Sequence, residues 1–225
     1  MIVKKKTMEL SGQNDSGLNR LFTISAIYEL FQQRVLGGNS ARKWLAENVW
    51  KLQGGETIVD IGCGSGTILK SLPGNISYCG LDISENYIRA ARRNFSDRGT
   101  FFLGTLQDLL NQNAWPLNSA DLILCNGLLH HLGDADALEV LELSKRLMKD
   151  DGRLICLEAV FLDRQTRLSK WFVSADRGRH VRSEAEWKKL ISQAFSSYAT
   201  RILTGLIRIP YTHIIIESRK GPVVA

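Results

Sequence analysis

Asp60, Gly62, Gly64, Gly66 and Asp82 are the residues whose types and spacing could do chemistry. Glycines at alternate positions remove side chains where a bound molecule must lie against backbone. They follow directly on the apolar run Ile58-Val59-Asp60-Ile61, so the pattern reads as a strand entering a turn. Asp82 ends a second apolar run, Tyr78-Cys79-Gly80-Leu81, 22 residues after Asp60. A carboxylate about 20 residues beyond a glycine turn is placed to take the hydroxyls of a ribose in a βαβ unit.

Two ligands fit that outline. The dinucleotide fingerprint is G-x-G-x-x-G, which brings a pyrophosphate to a helix N-terminus. Here the spacing is G-x-G-x-G, and Asp60 lies just upstream, where it would repel a pyrophosphate and suit an ammonium group. A ligand with a ribose at one end and an amino acid at the other is S-adenosylmethionine. The segment resembles motif I of the class I S-adenosylmethionine-dependent methyltransferases. The resemblance implies that the backbone of Gly62, Cys63, Gly64 and Gly66 holds the methionine part and that Asp60 orients its ammonium. It also implies that Asp82 takes the ribose and Ile83 packs on the adenine. An NAD-dependent dehydrogenase and a cofactor-binding protein without activity are the rival readings of this turn.

In open α/β sheets a ligand lies beyond the carboxyl ends of the strands. After the third expected strand comes Gly104-Thr105-Leu106-Gln107-Asp108. Many members of the resembled family carry aspartate directly after this glycine, for the adenine amino group. Thr105 stands there instead, leaving Thr105, the Leu106 backbone or Asp108 to make that contact. After the fourth strand, Asn126-Gly127-Leu128-Leu129-His130-His131-Leu132 resembles the Leu-His-His-Leu stretch of small-molecule methyltransferases. Asn126 is expected at the cofactor. No Pro-Pro-aromatic follows it, which argues against methylation of a planar base. His130 is the candidate general base, since an imidazole titrates near neutrality; its alternative is a structural role. His131 is expected to turn about 100° away from His130, toward packing, surface or acceptor.

The segment 161–182 links a strand end to a helix and can fold over a site as a lid. Arg177 and Arg179 within it would grip an anionic acceptor bidentately, or form a solvated surface. Arg208 and Tyr211 face the acceptor side if the sixth strand runs parallel to the first five.

The elements that must position these residues alternate. Strands are expected at 57–61, 77–82, 100–104, 120–125 and 152–159, with helices at 65–72, 84–95, 135–149 and 183–196. Ser84 reads as an N-cap, and Ser183 with Glu186 as a capping box. The last two apolar runs, 198–206 and 211–218, are joined too closely for a crossover and must be antiparallel. The expected fold is α/β: a doubly wound, mostly parallel seven-stranded sheet ending in an antiparallel hairpin. The resemblance to the methyltransferase sheet covers about residues 40–218. Upstream, residues 1–18 read as flexible. Apolar residues at helical spacing over 21–35 and 40–51 predict two helices capping the cleft. Residues 19–220 then form one domain.

Composition is that of an ordinary globular chain: 225 residues, 44% hydrophobic and 23% charged. No apolar run approaches a bilayer span of about 20 residues, and no signal-peptide core is visible, so a cytoplasmic location without membrane attachment is expected. The four cysteines form no metal-spaced cluster, so neither zinc nor a disulfide is expected. The net charge of +6 is scattered rather than striped, which argues against a stable nucleic-acid complex. The sequence therefore predicts methyl transfer from S-adenosylmethionine to a small-molecule hydroxyl. RNA or protein as acceptor is the alternative.

Overall fold

A computed structural model describes residues 38–175 and 179–221. The helix expected over 21–35, the segment 1–18 and Arg177 lie outside the described residues.

Seven strands form the sheet in the order β3-β2-β1-β4-β5-β8-β7. They are β1 (Thr57–Ile61), β2 (Ser77–Asp82), β3 (Thr100–Leu103), β4 (Ala120–Asn126), β5 (Met148–Phe161), β7 (Ser197–Thr204) and β8 (Thr212–Arg219). A two-residue strand, β6 (Arg182–Ser183), adds to the end of β5. Strands β1 to β5 pair in parallel, and β8 is antiparallel to both β5 and β7. Two antiparallel steps make β7 parallel to β5. The 205–211 turn therefore emerges at the carboxyl edge, as the sequence reading required.

The central strands are almost continuously apolar because helices cover both faces. On one face Val59, Leu81, Ile123, Cys156 and Ile216 meet α3 (Leu106–Asn111), α4 (Asp134–Leu147) and α6 (Glu184–Ala194). On the other, Ile58, Leu122, Leu124 and Ile155 meet α1 (Gly38–Leu45), its π-helical continuation Ala46–Trp50, and α2 (Glu85–Phe95). The guanidinium of Arg153 on β5 donates to the carbonyls of Val49 and Trp50, tying that continuation to the sheet. A smaller cluster lies over the carboxyl end of β5. There Val173 of α5 (Arg167–Ser174) packs with Ala159 and Tyr211.

Three expectations change. The helix expected at 65–72 is a single 3-10 turn, Thr67–Ser71. Gly66 enters it in the left-handed conformation, φ 72°, and Leu72 leaves it extended just before Pro73, so no room is left for an α-helix. Strand β5 starts four residues earlier than expected and runs two residues further. Helices α3 and α5 stand where the sequence reading placed turn and lid. Short helices of six and eight residues show too few repeats for periodicity to reveal them.

Gly80 of β2 pairs with Asp60 of β1. A Cβ there would lie 2.8 Å from Cys63 Sγ and 3.0 Å from the Tyr78 ring. Gly80→Ala should therefore overpack the floor of the glycine turn and cost about 1–3 kcal/mol. Urea unfolding should show a lower midpoint at unchanged slope.

Candidate active site

The glycine turn closes onto the end of β2. The N–H groups of Gly62 and Cys63 both donate to the Leu81 carbonyl, at 2.8 and 3.0 Å. Gly64 N–H donates to Asp82 Oδ2 at 3.0 Å, and Ser84 N–H to Asp82 Oδ1 at 2.8 Å. Asp82 is thus held by backbone on both oxygens. Burial raises its pKa, opposed by those backbone bonds.

Asp60 is almost fully buried, and Tyr78 donates its hydroxyl to Asp60 Oδ2 at 2.6 Å. Burial pushes the Asp60 carboxyl up to about 7; the Tyr78 bond opposes the shift and the nearby Asp82 charge adds to it. Tyr78 is a partner the sequence reading missed, because in a buried strand its ring looks like core. Burial, then Asp60 and Asp82, push the Cys63 thiol up. It stays protonated, 3.4 Å from the Gly64 carbonyl, and supplies no nucleophile.

Gly64 has φ 55°, and a Cβ built on it meets nothing within 4 Å. The space beside that backbone is open, as a cradle requires. Gly66 differs: its Cβ would lie 2.9 Å from the Phe101 ring, so packing alone demands glycine there. Ile83 and Leu103, at the ends of β2 and β3, are large apolar side chains left 49% and 43% exposed. Leu103 pairs with Asp82 and was not singled out from sequence. Asn126 ends β4, and its Oδ1 is buried without a hydrogen-bond partner among the described residues. An open cradle, a buried acceptor and two exposed apolar flanks suit a ligand with an amino-acid end and a flat heterocycle.

Asp108 and Thr105 are committed to α3. Thr105 is its N-cap, accepting from Asp108 N–H and donating to Asp108 Oδ2, which also accepts Thr105 N–H. The structure thus places Asp108 in the capping box of α3. The Leu106 side chain is buried in the core.

Beyond β4 the chain makes the 3-10 turn Leu129–His131. Beneath it lies Glu158 of β5, wholly buried. Its Oε1 accepts the N–H groups of Leu128 and Leu129 at 3.1 and 2.9 Å. Its Oε2 accepts His130 N–H at 3.3 Å and lies 2.5 Å from His130 Nδ1. Three N–H groups already converge on this carboxyl, so the tautomer of His130 that suits the network carries its proton on Nδ1. In the neutral ring the lone pair then sits on Nε2, the state a general base needs. His131 does not turn away from His130. The two rings lie 4.2 Å apart, tilted by 40°.

The remaining predicted residues separate. Arg179 is exposed in the segment between α5 and β6, and Arg208 is exposed in the 205–211 turn. Tyr211 is buried against Ala159 and Val173, its ring 4.8 Å from His213. Among the described residues no group of three or more His, Cys, Asp or Glu is arranged to hold a metal, and no helix is long and apolar enough to cross a membrane.

Residues 59–154 match the family model of a methyltransferase domain. A ribosomal protein L11 methyltransferase of Chromobacterium violaceum is 32% identical over 139 residues, which are 58% of this chain and 41% of that protein. The chain thus spans less than half the length of that relative. The mitomycin 7-O-methyltransferase MmcR superposes with TM-score 0.63 at 21% identity, over 92% of this chain and 61% of that one. Human N-acetylserotonin methyltransferase, solved with S-adenosylmethionine, gives TM-score 0.64 at 21% identity, over 90% and 56%. Residues 59–154 thus carry the sequence pattern of a methyltransferase domain, and the sheet has the fold of these solved methyltransferases.

A carboxyl that holds its proton more tightly folded than unfolded stabilises the fold below its unfolded pKa. That contribution is lost as pH rises through the folded value. For Asp60 the window runs from the ordinary carboxylate range up to about 7, and Asp82 shifts in the same direction. The ligand-free protein should lose stability as pH rises across this window. Asp60→Asn, which keeps an acceptor for Tyr78 but does not titrate, should flatten that slope. Thermal melts of both proteins between pH 4 and 8, the range about the ordinary and shifted values, check this.

Proposed function

We propose that this chain transfers a methyl group from S-adenosylmethionine to a hydroxyl of a small molecule, with His130 as general base. The observation that carries the reading is the His130–Glu158 pair at the carboxyl end of the sheet, across from the glycine turn. When bound, the sulfonium supplies an already activated methyl group. The chain's task is to align the acceptor, exclude water and remove one proton.

The Gly62–Gly66 backbone and Asn126 would hold the amino-acid end, with ionised Asp60 as counter-charge to its ammonium. Asp82 would accept from the ribose hydroxyls, and Ile83 and Leu103 would flank the adenine. His130 Nε2 would take the acceptor's proton while Glu158 stabilises the resulting imidazolium. A carboxylate so buried serves this role because it is already neutralised in part by three N–H dipoles. If Arg179 and Arg208 face the acceptor they would favour an anionic substrate; Arg177 joins them on sequence grounds alone.

The name of the Chromobacterium relative supports a second reading, a protein acceptor. A methyl-labelled cofactor offered to hydroxylated aromatic acids, neutral phenols and a ribosomal-protein fraction separates the two. Label in a small-molecule ether supports the first reading. Label only in a protein band overturns it.

Calorimetry should show binding of S-adenosylmethionine far tighter than of NAD. Asp82→Ala should weaken the first by about 1.5–3 kcal/mol, the loss of hydrogen bonds to a charged acceptor. Gly64→Val should abolish it, since the side chain fills the open cradle; φ 55° also strains a β-branched residue, so a far-UV spectrum checks that the variant is folded. An unaltered affinity in both variants would remove the cofactor assignment.

His130→Ala should lower kcat about 10²-fold or more with cofactor affinity unchanged. Full activity of that variant across a pH series would leave alignment as the sole catalytic device.

A further inference from the structure

Arg182 lies at the start of β6, nearly buried at 5% exposure. Its guanidinium donates to the carbonyls of Leu129, Leu132 and His180, at 3.1, 2.9 and 3.0 Å. Nε and one terminal nitrogen both reach Asp134 Oδ1, at 2.9 and 2.7 Å. The group stacks over Trp187 at 4.8 Å, and Trp187 is pinned by its own Nε1–H to the Ala159 carbonyl at 2.9 Å. A buried guanidinium is costly unless its donors are met. Here they are met largely by the segment that carries the two histidines.

Leu129 and Leu132 bracket His130 and His131. The turn has two hydrogen bonds of its own, from His131 N–H to the Leu128 carbonyl at 3.0 Å and from Leu132 N–H to the Leu129 carbonyl at 3.1 Å; so short a 3-10 piece leans on outside groups for the rest of its shape. Glu158 grips the turn by its amide side, through Leu128, Leu129 and His130. Arg182 grips it by its carbonyl side. His180 N–H adds a bond to the His130 carbonyl at 3.0 Å. An anion under the amides and a cation on the carbonyls leave the turn one arrangement, and that arrangement sets where the His130 ring meets Glu158.

We propose that Arg182 is the positioning residue of His130, coupling the lid segment to the candidate base through the Leu129–Leu132 carbonyls. This rests on the reading of His130 as base. Lysine would keep the charge but lacks the planar fork that serves several acceptors at once.

The test uses 15N-labelled full-length protein and the strongly downfield proton of His130 Nδ1–H, which reports its bond to Glu158. The signal is assigned by its loss in Glu158→Gln. Arg182→Lys should lose or shift it. Asp134→Asn, which weakens two of the arginine's contacts at an exposed partner, should shift it less and in the same direction. Affinity for S-adenosylhomocysteine should change less than about twofold in both, because the glycine turn is untouched. If Arg182→Lys does not fold, Asp134→Asn decides. A resonance unmoved in every folded variant overturns the proposal and leaves the base untouched. Full activity of His130→Ala would instead refute the base while a shifted resonance still showed the coupling.

Discussion

Glu158 is the group on which the candidate active site depends. A wholly buried carboxylate is costly unless its charge is met. Here it is met by three backbone N–H groups and the ring of His130. The turn after β4 is shaped to satisfy that anion, and the anion fixes which nitrogen of His130 bears its proton. Removing the carboxylate would take their shared acceptor from three amides and from the His130 ring.

Charge on the cofactor side is handled differently. Asp60 and Asp82 lie near one another under the glycine turn, and burial disfavours ionising both. Backbone N–H groups hold Asp82, whereas Asp60 has a neutral phenol, Tyr78. The more deeply buried acid takes the larger shift. A cation entering the cradle would find beside it a carboxyl poised near neutrality, which a positive charge would readily ionise. Two carboxylates of one residue type thus occupy two electrostatic environments, and the proposed roles follow from that difference.

Arg182 and Glu158 reach the histidine turn from different elements, β6 and β5. Both are buried, and each meets its charge partly in backbone dipoles and partly in a side chain, Asp134 for Arg182 and His130 for Glu158. Exposed cations such as Arg179 contribute little to rigidity by comparison, since exposed ion pairs are weak. Buried charge on both sides of the Leu129–His131 turn therefore concentrates rigidity at the candidate base.

Much of this was legible in the sequence because local rules decide it. Apolar runs gave the strands, since a parallel sheet covered on both faces needs them. The spacing of Gly62, Gly64 and Asp82 gave the turn and its carboxylate. Ser183 and Glu186 announced α6 through a capping box that forms as read. The short link between the last two runs required the antiparallel hairpin. Asp108 was open to a cap or a ligand role, and the reciprocal bonds with Thr105 show that it takes part in capping α3. What no local pattern carried was pairing over distance. Glu158 interrupts an apolar strand and reads as a lone polar residue 28 positions from His130. Only the register of β5 against β4, with Leu157 beside Asn126, brings it beneath the histidine turn. Tyr78 meets Asp60, and Arg182 meets Leu129, for the same reason. Burial forces each polar group to find a partner, but the packing of whole elements determines which partner is within reach.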